Sequence, residues 1–183
     1  MLKTEKHEVK LVSAVGIDYS KLRNLLAAQK WQEADEETAR VMLRVAQREE
    51  KGWLDQETIE EFPCEDLQTI DQLWVSYSNG HFGFSVQNRL YQILGETNED
   101  GKEVWERFRD LVGWLKNDER FCYSHLNFSE KAPKAHLPVV ALFVGSMGVG
   151  IGSGSFEQDC AIMAGLGGVV FDSLVSRLLN CNI

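Results

Sequence analysis

Histidines, cysteines and a glycine-rich run are the parts of this sequence whose residue types most often serve catalysis or ligand binding. None of the histidines stands beside a serine or cysteine nucleophile motif; they are His7, His81, His125 and His136. The cysteines form no CxxC pair and have no histidine at zinc-ligand spacing; they are Cys64, Cys122, Cys160 and Cys181. The run GSMGVGIGSGS lacks the Gly-Lys-Ser/Thr of a phosphate-binding loop. These patterns argue against nucleophilic catalysis, a metal held by side chains and a phosphate site.

Carboxylates are the remaining candidates for acid–base chemistry. The most suggestive are Asp35, Glu36, Glu37, Asp66 and Asp71. They fall near the predicted starts of helices, where the helix dipole stabilises acidic side chains. Helix stabilisation is the simpler interpretation, and the sequence predicts a protein that is not an enzyme.

An aromatic segment, SNGHFGFSVQ at residues 78–87, is more unusual. Phe82 and Phe84 flank a glycine, and the polar Ser78, Ser85 and Gln87 lie beside them. Two such phenylalanines are often core residues. They are equally suited to line an apolar cleft with few polar groups, which is what a flat hydrophobic ligand needs. The sequence alone leaves both interpretations open.

Helical periodicity runs through most of the chain. Apolar residues recur at steps of three and four in five predicted helices, around residues 22–26, 34–45, 67–77, 104–112 and 169–179. A short helix at 59–62 ends before Pro63, and another, for which Ser85 is the predicted cap, ends at Gly95. Asp18 or Ser20 is the predicted cap of the first helix, and Asn79-Gly80 and Gly113 are predicted helix ends. Residues 96–103 form a predicted polar loop, and periodicity fails from Trp114 to Pro138. The prediction is a compact all-α domain.

Composition sets limits on partners and location. The chain has 183 residues and a net charge of -9, which suits one globular domain and argues against nucleic-acid binding. Separate thiols are typical of a reducing compartment. Residues 1–15 lack the apolar core of a signal peptide. We therefore expect a cytoplasmic protein or one of the plastid stroma.

One uncharged stretch, residues 135–156, tests that expectation. Its apolar part, Leu137 to Val144, is too short to span a bilayer, and glycines crowd the rest. We expect a strand or buried turn followed by a glycine-rich loop. Residues 139–183 would then comprise a glycine-rich segment and a C-terminal helix.

Four blocks resemble, in order, the domain of the genomes-uncoupled-four family. They are GIDYSKLRNLLAAQKWQEADEETARVML, FPCEDLQTIDQLWVSYSNGHFGFSVQNRLY, VGW and APKAHLP. The resemblance covers residues 16–138, after an N-terminal extension of residues 1–15. Members are porphyrin-binding regulators of magnesium chelatase in cyanobacteria and plastids.

The resemblance implies an all-helical domain with a hydrophobic cleft for protoporphyrin IX or its magnesium derivative, and a chelatase partner, its large subunit. It implies no metal bound by protein side chains. Carried over by position, the tetrapyrrole-binding residues are Trp53, Leu54, Phe82, Phe84, Gln87, Trp114, Tyr123, Phe128 and His136.

The sequence departs from the family pattern in two ways. Between Lys134 and Arg177 it contains no Lys or Arg, although related members use arginines there to pair with porphyrin carboxylates. Ala135 also stands where the family usually has glycine. Alternatives are therefore a signalling or protein-interaction paralogue, or a bilin binder that uses Cys64 or Cys122. Remaining candidate polar anchors are Arg89, His125, Lys131 and His136.

Overall fold

A computed structural model describes residues 9–96, 101–114, 121–139, 160–161 and 166–183. In these ranges the chain forms seven α-helices, in the order α1 (Ser20–Ala27), α2 (Trp31–Val45), α3 (Gln56–Glu60), α4 (Cys64–Tyr77), α5 (Phe84–Gly95), α6 (Gly101–Leu111) and α7 (Leu166–Asn180). A 3-10 turn occupies Tyr123–His125. The prediction of an all-α domain is confirmed.

A two-residue antiparallel pairing was not predicted from the sequence. Strands β1 (Phe121–Cys122) and β2 (Cys160–Ala161) place Phe121 opposite Ala161 and Cys122 opposite Cys160. Two residues are too few to produce a recognisable alternation of apolar and polar side chains. The pairing joins the irregular region after α6 to the chain just before α7.

The predicted helix ends are confirmed by backbone geometry. Asn79 and Gly80, which follow α4, have φ of 54° and 74°, and the Gly80 N–H donates to the Val75 carbonyl at 2.8 Å. Gly113, which follows α6, also has a positive φ, 74°. Such left-handed residues satisfy the last carbonyl groups of a helix. The helix start is less well predicted at α6, since residues 101–103 of the predicted polar loop belong to the helix.

The predicted N-terminal caps are wrong in detail. Tyr19 occupies the N-cap position of α1 without a side-chain bond to the helix, although Asp18 accepts from the Ser20 N–H at 2.8 Å. At α5 the structure has no Ser85 cap. Instead Asp71, on the preceding helix, accepts from the Ser85 N–H at 2.8 Å. A residue distant in sequence replaces the local cap.

The C-terminal helix α7 packs against α3 and α5. Arg177 donates from Nε to the Phe62 carbonyl at 2.7 Å. A disulfide joins Cys181, just beyond α7, to Cys64 at the start of α4, with the two Cα atoms 5.3 Å apart. The expectation of separate thiols is therefore wrong for Cys64 and Cys181. The Cys64 sulfur offers no thiol for a bilin, and the inference of a reducing compartment loses this support.

The predicted glycine-rich loop and most of the uncharged stretch 135–156 lie outside the described residues. Within the described ranges, none of the helices combines the length and apolarity needed to cross a membrane.

Candidate functional site

Residues 132–139, which we call the His-Leu-Pro segment, are held against α5 without forming regular secondary structure. The Gln87 side-chain amide donates to the carbonyl oxygens of Ala135 and Pro138, at 3.1 and 2.9 Å. The Ala135 N–H donates to the His81 carbonyl at 2.9 Å. Because an irregular buried segment must find partners for its backbone polar groups, Gln87 acts as its main anchor. This role explains a fully buried glutamine in α5.

Gly83 allows the helices and the His-Leu-Pro segment to approach closely. Its φ is +133°, and an added Cβ would lie 2.7 Å from Val75 Cγ2 and 3.0 Å from Asp71 Oδ1. Its N–H donates to the Leu137 carbonyl at 3.0 Å. Only glycine readily adopts such a conformation. The central glycine of the Phe-Gly-Phe motif therefore allows close packing.

Ala135 adopts a left-handed conformation, with φ of 66°. Alanine is less favourable than glycine there because its Cβ crowds the backbone. This geometry explains the preference for glycine that the resemblance implies at this position. Ala135 is fully buried, so the strain is held by the surrounding contacts.

His136 is buried as a neutral imidazole. Its Nδ1 lies 2.5 Å from the Val112 carbonyl, and its own carbonyl accepts from Trp114 Nε1 at 2.8 Å. Burial lowers the pKa of His136, because the imidazolium loses its hydration, and the bond to Val112 opposes this effect. The Nδ1 atom therefore carries the proton, and Nε2 has no hydrogen-bond partner among the described residues.

Asp35 is a structural carboxylate whose role the sequence analysis missed. Because α2 begins at Trp31, Asp35 lies in the second helical turn and is fully buried, so its interpretation as a first-turn acid is wrong. Its oxygens accept from the Tyr123 hydroxyl at 2.9 Å and the Val139 N–H at 2.6 Å. Burial, followed by the charge of Asp35, raises the pKa of Tyr123, which stays protonated. The spacing of Asp35 from Trp31 and Thr38, on one helix face, was the available signal.

Two further buried acids connect elements. Asp66 accepts from the Tyr19 hydroxyl at 2.7 Å and the Ala14 N–H at 2.9 Å. Burial raises the pKa of Asp71, and the N–H groups of Ser85 and its neighbour oppose that shift. Both act as acceptors between segments rather than as an acid–base pair. No group of three or more potential metal-ligating side chains occurs in the described part of the chain.

An aromatic cluster joins α5, α6 and α7 next to the His-Leu-Pro segment. The Phe171 ring of α7 lies 4.8 Å from Phe108 and 5.0 Å from Tyr91, between ring centroids. Trp114 meets Phe108 at 5.4 Å and Trp105 at 6.1 Å. Edge-to-face and stacked rings at these separations are favourable. The cluster is a rigid apolar base that includes one predicted site residue, Trp114.

Two cavities lie beside the turn between α4 and α5, and the second is also lined by the His-Leu-Pro segment. One of about 270 Å³ is lined by Trp31, Ser78, Asn79, His81, Phe82 and Glu130. The other, of about 160 Å³, is lined by Gly80, Val86, Arg89, Leu90, Ile93, Lys134 and Ala135. Each combines apolar and charged side chains.

Comparison with known proteins assigns the family. The GUN4-like family model matches residues 12–150 of this chain. The chain belongs to the GUN4-like family. The ycf53 protein of Porphyra purpurea is 37% identical over 134 residues, covering 72% of this chain and 53% of the relative. The Ycf53-like protein of Synechocystis sp. is 35% identical over 133 residues, covering 71% and 54%.

A third relative is named "Tetrapyrrole-binding protein, chloroplastic", from Arabidopsis thaliana. It is 30% identical over 130 residues, which cover 64% of this GUN4-like chain and 46% of the relative. The chain thus spans about half the length of the curated relatives it matches.

Solved structures have the same fold. GUN4 from Chlamydomonas reinhardtii superposes with a TM-score of 0.68 and 25% identity, over 94% of this chain and 97% of the other. Ligand-free Arabidopsis thaliana GUN4 gives a TM-score of 0.64 and 22% identity, over 91% and 97%. The second match supports the fold alone.

The predicted site residues of this GUN4-like chain differ in exposure. Trp53 and Phe128 are half-buried. The others are buried, namely Leu54, Phe82, Phe84, Gln87, Trp114, Tyr123 and His136. Burial suits residues that shape a site from behind, whereas ligand contact requires exposed surface or a rearrangement.

The structure brings some of these residues together. The side chains of Gln87 and Trp114 donate to carbonyl groups of the His-Leu-Pro segment, and Trp114 does so at His136. The rings of Tyr123 and Phe128 lie 5.0 Å apart. Phe82 belongs instead to a second aromatic group, with Trp31 at 5.4 Å and Trp74 at 6.3 Å. Trp53 and Leu54 lie between α2 and α3 and take part in none of these hydrogen bonds or ring contacts.

Proposed function

We propose that this chain binds a cyclic tetrapyrrole, protoporphyrin IX or magnesium protoporphyrin IX, without chemically changing it. The observation that carries the proposal is membership of the GUN4-like family together with a 30% identical relative named for tetrapyrrole binding. The residues proposed for the site are those expected from the sequence. Trp53 and Phe128, being half-buried, are the ones best placed to touch a ligand directly.

Geometry supports this proposal because the surroundings of the site are already ordered. The His-Leu-Pro segment is anchored by Gln87, and the aromatic cluster behind it is tightly packed. Pre-organisation lowers the entropy cost of binding. A macrocycle that buries roughly 400 Å² of apolar surface gains about 10 kcal/mol at about 25 cal/mol per Å², before association costs. Association costs of at least about 4 kcal/mol leave about 6 kcal/mol, so micromolar affinity, which corresponds to about 8 kcal/mol, requires polar contacts with the ligand as well.

The proposed biological role is regulation of chlorophyll biosynthesis through magnesium chelatase, with its large subunit as partner. Relatives from Synechocystis sp. and Porphyra purpurea, and the word "chloroplastic" in the Arabidopsis name, support a cytoplasmic or stromal location. A direct test is co-elution of the purified chain with the chelatase large subunit, with and without protoporphyrin IX. Separate elution in both conditions would contradict the partner assignment.

Ligand binding is tested by titrating the full chain with each porphyrin and following Soret absorbance and tryptophan quenching. Saturable binding in the low micromolar range is expected for the wild type, with at least threefold weaker binding in Trp53→Ala and Phe128→Ala. Leu179→Ala is the control, because Leu179 is 52% exposed on α7 and is not a proposed site residue. Absence of saturable binding by a chain with native circular dichroism would contradict the proposal.

A second candidate is a signalling or protein-interaction role with little tetrapyrrole affinity. One observation favours it, namely the absence of Lys and Arg between residues 134 and 177. Failure to bind porphyrins, combined with co-elution with the chelatase subunit in their absence, would support it. Titration with biliverdin in parallel tests the bilin alternative.

A further inference from the structure

An uncovered groove runs between α5 and the His-Leu-Pro segment. It is the cavity of about 160 Å³ described above. Its α5 side presents an apolar stripe at helical spacing, in which Val86 and Leu90 are half-buried and Ile93 is 56% exposed. An exposed isoleucine that follows two half-buried apolar residues on one helix face favours contact with a further apolar group.

Two cations flank the stripe. Arg89 of α5 and Lys134 of the His-Leu-Pro segment are both exposed and line the same cavity. Neither takes part in an ion pair among the described residues, whereas Arg40 and Arg48 each contact a carboxylate. The chain as a whole is acidic, with a net charge of -9. Two cations that line one partly apolar groove are therefore a local exception, complementary to an anionic amphipathic group.

We propose that Arg89 and Lys134 bind a carboxylate of the tetrapyrrole, while the Val86–Ile93 stripe contacts the edge of its macrocycle. This inference rests on the proposed function and adds to the proposed site a carboxylate-binding groove next to Gln87 and His136 in the sequence. Porphyrins such as protoporphyrin IX carry carboxylates on short, flexible arms attached to a flat apolar ring. Arginine matches such a group with two parallel hydrogen bonds, and lysine adds a compact positive charge.

The position of the groove supports this assignment. Lys134 and Ala135 immediately precede His136, and Arg89 lies two residues after Gln87, the anchor of the segment. Residues 135–176 contain no Lys or Arg, so Arg89 and Lys134 supply a positive charge that this later stretch lacks. At about 160 Å³ the groove accommodates an acidic arm rather than a whole macrocycle. The ring would extend over the adjoining surface.

The test compares protoporphyrin IX with its uncharged dimethyl ester, using the full chain and tryptophan quenching at low ionic strength. The variants are Arg89→Gln, Lys134→Gln and the double substitution. Arg23→Gln and Lys10→Gln are matched controls, because these side chains also lack an ion pair in the described residues and do not line the groove. All variants alter surface charges, and thermal unfolding checks that each retains the native fold.

We expect the wild type to bind the diacid at least fivefold more tightly than the ester, and to lose this preference as salt screens the charges. The double variant should bind the diacid about tenfold more weakly and the ester unchanged, since charge-assisted bonds to one group are removed. Equal affinity of the wild type for diacid and ester, or an unchanged diacid affinity in the double variant, would overturn the inference while leaving tetrapyrrole binding intact. Binding of neither ligand would overturn both.

Discussion

Substitution of Gly83 by alanine should destabilise the protein far more than the same change at Gly80 or Gly95. At φ of +133° the backbone is in a region that costs a residue with a Cβ about 1–3 kcal/mol. The added Cβ would also lie 2.7 Å from Val75 Cγ2 and 3.0 Å from Asp71 Oδ1, and overpacking of this kind costs about 1–3 kcal/mol. Together these effects predict a loss of about 2–6 kcal/mol in the free energy of unfolding.

Two other glycines separate these contributions. Gly80 has φ of +74° but no atom within 4 Å of an added Cβ, so Gly80→Ala should cost only about 1 kcal/mol. Gly95 ends α5 without a positive φ or a close neighbour, so Gly95→Ala should be neutral or stabilise by up to about 1 kcal/mol. The expected order of stability is therefore Gly95→Ala, then Gly80→Ala, then Gly83→Ala.

Equilibrium unfolding in urea, followed by tryptophan fluorescence and circular dichroism, measures all three variants. The slope of unfolding free energy against urea should stay constant, so that changes in midpoint report native-state stability. A Gly83→Ala protein within about 1 kcal/mol of Gly80→Ala would refute the close approach of α4 and α5 on which the estimate is based.

Three further predictions concern covalent, ionisable and strained residues. Reduction of the Cys64–Cys181 disulfide, which closes a loop with a sequence separation of 117, should lower unfolding stability by about 3–5 kcal/mol in urea melts. A loss below about 1 kcal/mol would contradict this pairing. Burial lowers the pKa of His136 in the folded protein below its ordinary value of 6.5. As the pH decreases, His136 of the unfolded chain therefore takes up a proton before His136 of the folded protein does. The contribution of His136 to the free energy of unfolding should be fully present above about pH 6.5 and decrease as the pH falls toward the folded-state pKa. His136→Gln should reduce this pH dependence of stability. An unchanged pH dependence would count against a buried neutral imidazole. Ala135→Gly should raise the free energy of unfolding by about 1 kcal/mol, because the φ of residue 135 is 66°, and thermal unfolding measures the change. A lower stability of the variant would contradict the left-handed geometry.

Local features of the sequence were sufficient for most of the helices. Apolar residues at steps of three and four predicted the helices that became α2, α4, α6 and α7, since periodicity depends only on near neighbours. Helix ends at Asn79-Gly80 and Gly113 followed from the tolerance of these residues for positive φ. Helix starts were harder to predict, because the Ser85 N–H is satisfied by Asp71 from another helix.

Polar residues of the candidate site were interpreted less well. Asp35 was assigned to a first helical turn, yet its partners are Tyr123 and Val139, far away in sequence. Gln87 was recognised as a member of the aromatic motif, but its bonds to the His-Leu-Pro segment depend on how α5 meets that segment. A carboxylate or amide is stable in a protein interior only when it has hydrogen-bond partners. The sequence without the tertiary contacts does not identify those partners.

The sequence by itself determined the all-α class, the approximate helices, the acidic charge and the motifs that indicated the family, because each depends on composition or on neighbouring residues. Only the tertiary structure decided that Cys64 meets Cys181, that Asp35 joins Tyr123 to Val139, and that Arg89 and Lys134 flank one groove. These juxtapositions link residues up to 117 positions apart, and packing of the helices sets the distance between them.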